Sequence, residues 1–191
     1  KFFFESGNIK YAENFLELIE NKHSDLIEVH NRPIYIKYLT LFTKSKLILY
    51  FHNDPLSMNG SKSISDRLNL LNSTDKLIFN SKWSLNRFLK GLNKSEIDEN
   101  KLYVLYQSAN KTKINFKNKK KIISFVGKLN LAKGYDLFGN AIIKILNKYK
   151  DWKAVVIGDE PREKHFFKHK NLKVLGFKSH NYVLNNYNKT S

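Results

Sequence analysis

A chain of 191 residues is long enough for one ordinary domain or two small ones, and 41% apolar content with 14 Phe and 10 Tyr supports a packed core rather than disorder. The absence of Cys excludes disulfides and thiolate metal sites, and no apolar run approaches the roughly 18 residues of a membrane span. The net charge of +17 calls for a polyanionic partner, nucleic acid or an anionic membrane face, or else reflects the codon usage of an AT-rich genome, because only four of 34 basic residues are Arg (Arg32, Arg67, Arg87, Arg162).

Arg is the preferred residue for bidentate phosphate and base contacts, so the lysine bias argues against a dedicated nucleic-acid reader. The opening Lys1-Phe2-Phe3-Phe4-Glu5 has no initiator Met and is too short for a secretory signal. The expectation is a fragment without a signal peptide. A Cys-free chain also suits a cytoplasmic location, with peripheral contact to the inner membrane face if the charge is functional.

In chain order, the apolar periodicity predicts a helix over 10–20 and a strand over 26–29. A helix over 34–42 precedes a strong strand over 47–51. A polar loop follows over 52–61, broken by Pro55 and Gly60. Ser63-Ile64-Ser65-Asp66 opens a helix to about Leu71, and Lys76 to Phe79 is a short strand. Ser81 caps a helix over 83–89, whose aromatics Trp83 and Phe88 are expected in the core, and a strand covers 103–106.

Composition then shifts. Residues 108–120 are rich in Asn and Lys and predict a linker, set at 111–120. Beyond it come a strand over 122–126, a helix over 135–149, a strand over 154–157, a helix over 161–169, a strand over 172–175 and a helix over 181–187. The helix over 135–149 is expected to bury Leu137, Ala141, Ile142, Ile145, Leu146 and Tyr149. Such alternation implies parallel sheets with helices on both faces: an α/β chain of two Rossmann-like, doubly wound domains. Ligands bind beyond the carboxyl ends of strands in such sheets, which directs attention to the loops at His30, His52, Ser81, Gly127, Gly158 and Gly176.

Residues 125–134, Phe-Val-Gly-Lys-Leu-Asn-Leu-Ala-Lys-Gly, stand out. Lys128 and Lys133 sit just before a helix, where the positive end of the helix dipole disfavours a cation by about 0.3–1 kcal/mol. An anion held by the lysines and the free helix amides would account for them; so would a plain strand-to-helix connection with two solvated lysines. The segment is neither a dinucleotide fingerprint nor a P-loop.

Gly158-Asp159-Glu160-Pro161 closes the next strand as a nucleotide seat or an ordinary turn. His52-Asn53-Asp54-Pro55 closes the strongest strand of the first half. His52 is placed to bind a sugar hydroxyl or move a proton at neutral pH, or simply to brace the loop. His165 and His169 stand at i, i+4 without a third ligand, and no Asp-x-Asp is present to hold Mg²⁺, so no metal is expected. Ile34 to Lys46 mixes apolar residues with Lys37, Lys44 and Lys46 and is the candidate for lipid contact, with a buried helix as the competing reading.

Taken together, these segments resemble the family 4 retaining glycosyltransferases. Val126-Gly-Lys-Leu-Asn-Leu-Ala-Lys-Gly-Tyr-Asp-Leu137 resembles their Gly-Arg-Leu-x-x-x-Lys-Gly segment. Ile157 to Pro161 resembles the next βα turn, and Leu172 to Phe177 the following Val-x-Leu-Gly-Phe strand. His52-Asn53-Asp54, Asp75 to Ser81 and Lys101 to Asn110 resemble the corresponding parts of the first domain.

The resemblance implies a GT-B architecture, with residues 1–110 as part of the acceptor-side domain and 121–191 as the first part of the donor domain, both incomplete. It implies transfer of a sugar from a nucleotide-diphosphate donor to an acceptor hydroxyl with retention, in envelope glycan or glycolipid synthesis. Gly127, Lys128 and Lys133 would hold the donor diphosphate, Gly158, Asp159 and Phe177 the nucleotide, and His52 would be the catalytic residue at the donor sugar. Asn31, Arg32, Asn53 and Asp54 would lie on the acceptor side. The expected partners are a nucleotide-sugar and a glycan or glycolipid acceptor, with no cofactor, no metal and no nucleic acid. Two positions depart from the family: Lys128 stands where it has Arg, and Gln107-Ser108 where it often has Asn-Gly. The family's Glu-x₇-Glu segment would fall after Ser191. The alternatives are a nucleic-acid or anionic-surface binding protein on the same scaffold, or an inactive truncated paralogue.

Overall fold

The computed structural model describes residues 7–20, 24–109, 116–160 and 167–190. The chain divides into two compact units, Lys1–Ala109 and Asn110–Ser191. Among the described residues no helix is long and apolar enough to cross a membrane.

The first unit holds a four-stranded parallel sheet in the order β1-β2-β3-β4, with β1 Leu26–His30, β2 Lys46–Phe51, β3 Lys76–Phe79 and β4 Leu102–Val104. Helices α1 Gly7–Ile19, α2 Ile34–Phe42, α3 Ile64–Ser73 and α4 Lys82–Leu89 alternate with the strands. β2 and β3 are buried and apolar, which suits central strands covered on both faces. Phe51 and Phe79 stack at 5.3 Å, and Phe88 tilts against both. All three rings are fully buried and anchor the core.

Capping boxes start α3 (Ser63 with Asp66) and α4 (Ser81 with Ser84), satisfying amides that would otherwise lack partners. Buried Arg67 donates to the carbonyls of Phe88 and Lys90 and so closes the C-terminus of α4. Trp83 departs from its expected core position: it is 59% exposed, beside the Arg87 guanidinium, because α4 turns Ser84 and Phe88 to the sheet instead. On α2, Ile36 and Leu39 are buried, while Leu41 and Phe42 are exposed.

The second unit is built on β5 Ile122–Val126, β6 Lys153–Ile157 and β7 Leu172–Val174, parallel in the order β5-β6-β7, with α5 Tyr135–Lys148 and α6 His180–Tyr187. An isolated parallel bridge joins Lys120 to Thr190. Odd-numbered backbone groups of this segment serve β6: the carbonyl of Lys121 accepts from Lys153 and the amide of Gly127 donates to Ile157. The amide of Lys120 donates to Lys189 instead, so Thr190 lies on the other side of β5. Chain order thus runs outward from β5 in both directions, which makes the end of β5 the topological switch point where α/β sheets bind ligands. Lys119, read from sequence as linker, is tied into this unit by bonds from its ammonium to the carbonyls of Tyr187 and Thr190.

Two expectations for this unit change. The buried face of α5 is Tyr135, Gly139, Ile142 and Leu146, with Phe138 and Ile145 packed beside it. Leu137 and Ala141 are exposed, since Leu137 projects roughly 140° from Ile142 at 3.6 residues per turn. Tyr149 has left the helix as its extended C-cap and is exposed as well. Gly139, poor in helix propensity, is needed because a Cβ there would meet the Phe167 ring at 2.1 Å. Of the helix expected over 161–169, residues 167–169 are irregular and the remainder lies outside the described residues.

Candidate functional site

In the second unit three glycines sit side by side just past the carboxyl ends of the strands: Gly127, Gly158 and Gly176. The amide of Gly158 donates to the Gly176 carbonyl at 2.9 Å, and the Gly127 amide to Ile157 at 3.0 Å. Gly158 has φ +146, and a Cβ there would fall 1.7 Å from the Gly127 carbonyl oxygen. No side chain fits between those two backbones, so the ends of β5 and β6 form a floor of bare backbone.

Above this floor stands the 127–134 loop. Asn130 accepts the Lys133 amide on its side-chain oxygen at 3.1 Å, and its carbonyl accepts the Tyr135 amide at 3.2 Å. The Gly134 amide donates to Leu131. Lys133 ends a separate 3-10 turn, Leu131–Lys133, and α5 starts after left-handed Gly134 with Asp136 in its first turn. The amides of residues 133–135 are engaged within the loop, which leaves the exposed side chains of Lys128 and Lys133 as its cationic groups.

Beneath the loop Phe125, Tyr135 and Phe138 pack together, with Phe125 5.2 Å from Tyr135, and burial pushes the Tyr135 phenol above its usual range. Buried Glu160, which was not singled out from the sequence, lies 3.5 Å from the Asn130 side-chain amide and links the two strand-end loops. Asp159 is exposed, and Phe177 is 81% exposed just beyond Gly176. The structure brings Gly127, Gly158 and Gly176 together and puts Lys128, Lys133, Asp159 and Phe177 in the adjoining loops.

In the first unit the ends of β1, β2 and β4 converge on His52. Its ring stacks on Tyr50 at 4.3 Å, and its Nε2 lies 2.8 Å from Nδ1 of His30. Its Nδ1 lies 2.7 Å from the Gln107 side-chain nitrogen. An amide N–H can only donate, so His52 Nδ1 accepts, its proton sits on Nε2, and Nε2–H donates to His30. His30 then carries its proton on Nε2, which faces the Glu28 carboxylate at 3.6 Å. The result is a continuous polar chain, Gln107–His52–His30–Glu28. Burial, and then the neighbouring His30, hold the His52 pKa below its ordinary value, so His52 is neutral at pH 7.

The backbone around His52 is fixed by Asn31, whose side-chain oxygen accepts the amides of His52 (2.9 Å) and Asn53 (3.3 Å) from a left-handed conformation, φ 56. Asn80 donates to the His52 carbonyl at 2.7 Å. Asn31 thus braces the loop, a role its acceptor-side assignment did not include. Asp54 is occupied too: it caps the 3-10 turn Pro55–Ser57 and takes a two-point contact from Arg87, which holds its carboxyl below the usual carboxylate range. Arg32 is exposed and donates to the Asn31 carbonyl. Exposed Asn53 and Arg32 are the members of the acceptor-side set that face solvent.

His30 and Gln107 escaped the sequence reading as site residues because their meeting with His52 depends on strand register, β1 against β2 with His30 opposite Tyr50. Among the described residues no three His, Asp or Glu side chains cluster as a metal site. His165 lies outside the described residues, and His169 Nδ1 accepts the Asn171 amide in a turn.

Residues 107–191 match the sequence profile of the family described as glycosyl transferases group 1. No curated protein sequence matches the chain. Among solved structures, the chain is similar to a glycosyltransferase from Rickettsia africae, with a TM-score of 0.66 and 17% identity over 100% of this chain and 56% of that one. It is similar to HepE of Anabaena, solved in complex with UDP-glucose, with a TM-score of 0.60 and 14% identity over 88% of this chain and 52% of that one. TarM gives a TM-score of 0.60 and 12% identity over 88% of this chain and 36% of that one. These likenesses show a partial GT-B fold of two Rossmann-like parallel sheets. The chain spans about half or less of the length of each of these structures.

Proposed function

We propose that the chain is part of a retaining glycosyltransferase that moves a sugar from a nucleotide-diphosphate donor to the hydroxyl of an envelope glycan or glycolipid. The observation that carries this reading is the bare glycine floor at the switch point of the second sheet, flanked by Lys128 and Lys133. Glycine at the ends of β5 and β6 lets a diphosphate approach the backbone. The two ammonium groups neutralise the charge that builds on the leaving diphosphate, which is where the transition state gains most from fixed cations. Lys at 128 supplies charge without the bidentate fork of Arg, so the diphosphate is gripped by point charges. Asp159 and Phe177 flank the same floor and take the nucleotide. The profile match over 107–191 and the UDP-glucose bound to HepE support this assignment.

His52 takes the donor sugar. As a neutral imidazole bonded to Gln107 and His30, it is oriented by its neighbours and positions a sugar hydroxyl rather than supplying charge. The test is Lys133→Ala in the full-length protein. Turnover of a nucleotide-sugar falls at least about tenfold with an unchanged melting temperature; near-normal turnover removes Lys133 from the donor site.

A further inference from the structure

The positive charge is not shared evenly. Residues 1–109 carry 15 Lys and Arg against 12 Asp and Glu, a balance of +3, whereas residues 110–191 carry 19 against 5, a balance of +14. Codon usage acts on a whole gene and does not produce such a step at a unit boundary. The charge of the second unit also has a direction. Among the described residues at the carboxyl ends of its strands, Lys128, Lys133 and Lys178 are balanced by Asp136, Asp159 and Glu160. The opposite end collects the lysine run 119–121 before β5, Lys148 and Lys150 at the end of α5, Lys153 at the start of β6, Lys170 before β7 and Lys189 after α6. Of the unit's described acidic residues only Asp151 lies there, paired with Lys121. Lys117, Lys119, Lys120 and Lys189 line a groove of about 570 Å³ with Asn185 and Asn188.

Aromatic rings punctuate the same rim. Phe116 is 78% exposed at the head of the turn that Lys119 closes, just before the lysine run that leads into β5. Tyr149 and Tyr187 are each about half exposed, at the ends of α5 and α6. We propose that this lysine-and-aromatic end of the second unit docks on an anionic membrane surface, with lipid headgroup phosphates as its ligands. Every cation in the set is Lys, a hydrated point charge suited to a fluid layer of phosphates and lacking the fork that reads nucleic acid. Exposed Phe and Tyr beside Lys are the side chains that settle at a lipid–water interface. Docking at the start of the strands leaves the strand-end loops with their glycine floor at the far end of the same unit. The inference rests on charge placement and holds whether or not the chain transfers sugars.

Co-sedimentation with vesicles tests it, using phosphatidylcholine with and without phosphatidylglycerol. Near an anionic leaflet each lysine contributes about a fivefold gain in partition. The protein therefore binds only the phosphatidylglycerol vesicles and releases them as salt rises. The triple variant Lys148→Glu/Lys150→Glu/Lys153→Glu loses at least about tenfold in binding, and the separate pair Lys170→Glu/Lys189→Glu loses binding as well. The matched triple Lys128→Glu/Lys133→Glu/Lys178→Glu, at the other end, stays within about twofold of the parent. Each variant is first checked for an unchanged melting profile. Equal losses from both triples, equal binding to pure phosphatidylcholine, or tighter binding to duplex DNA than to the anionic vesicles at the same salt would each overturn the proposal.

Discussion

The two units use their polar residues in opposite ways. In the first, charge and hydrogen-bonding capacity turn inward. Arg67 closes a helix, Arg87 grips Asp54, Asn31 and Asn80 brace one loop, and His52 is held by Gln107 and His30. In the second, the sheet is shorter, its β5 residues are only half-buried, and most lysines point outward. One half of the chain thus offers a braced polar cluster on a tight aromatic core, and the other a bare backbone floor flanked by two exposed lysines. A donor diphosphate calls for the second kind of surface, and orienting an uncharged sugar calls for the first.

The contrast is sharpest at Gly158. Replacing it by Ala forces two backbones apart at the seam of β5 and β6, because the new Cβ would lie 1.7 Å from the Gly127 carbonyl oxygen. The cost is roughly 3 kcal/mol or more. Amide exchange followed by mass spectrometry should show β5 to β7 losing protection while β1 to β4 keep theirs; joint loss would mean that the units unfold as one.

A smaller effect belongs to the first unit alone. The folded pKa of His52 is lowered, so the unfolded chain takes up a proton first as pH falls through about 6.5. The stability of the first unit is therefore constant above that pH and declines below it, toward the folded pKa. The titratable groups facing His52 are His30 and, behind it, Glu28. His30→Asn should shrink the decline by removing the second of its causes, and amide exchange of β1 to β4 across this range reads it. An unchanged decline in His30→Asn would separate the two histidines.

How much of this was legible in the sequence depended on whether a signal was local. The spans of α2, β3 and β5 matched expectation because each is a compact apolar run with clear breakers around it. Ser63 and Ser81 were readable as caps, since capping needs only neighbours three residues apart. The face of α5 was misjudged because its centre includes Gly139, which carries no hydrophobic signal, while Leu137 carries a strong one and points away. Trp83 misled in the same way. The Gln107–His52–His30–Glu28 chain was invisible because it joins residues up to 55 positions apart through sheet register. Lys128 and Lys133 drew attention for a sound electrostatic reason. Their loop engages the Tyr135 amide at the helix start, and Asn130 and Glu160, which organise it, gave no pattern of their own.

The decisive property of the second unit is whether its glycine floor with two lysines holds a diphosphate. Calorimetric titration of the full-length protein with a nucleoside diphosphate, beside Lys128→Ala/Lys133→Ala, measures this most directly. Two charge-assisted contacts contribute about 1.5–3 kcal/mol each, so the account predicts binding by the parent protein and a loss of at least about tenfold in the double variant. Equal affinity in the two proteins would contradict it.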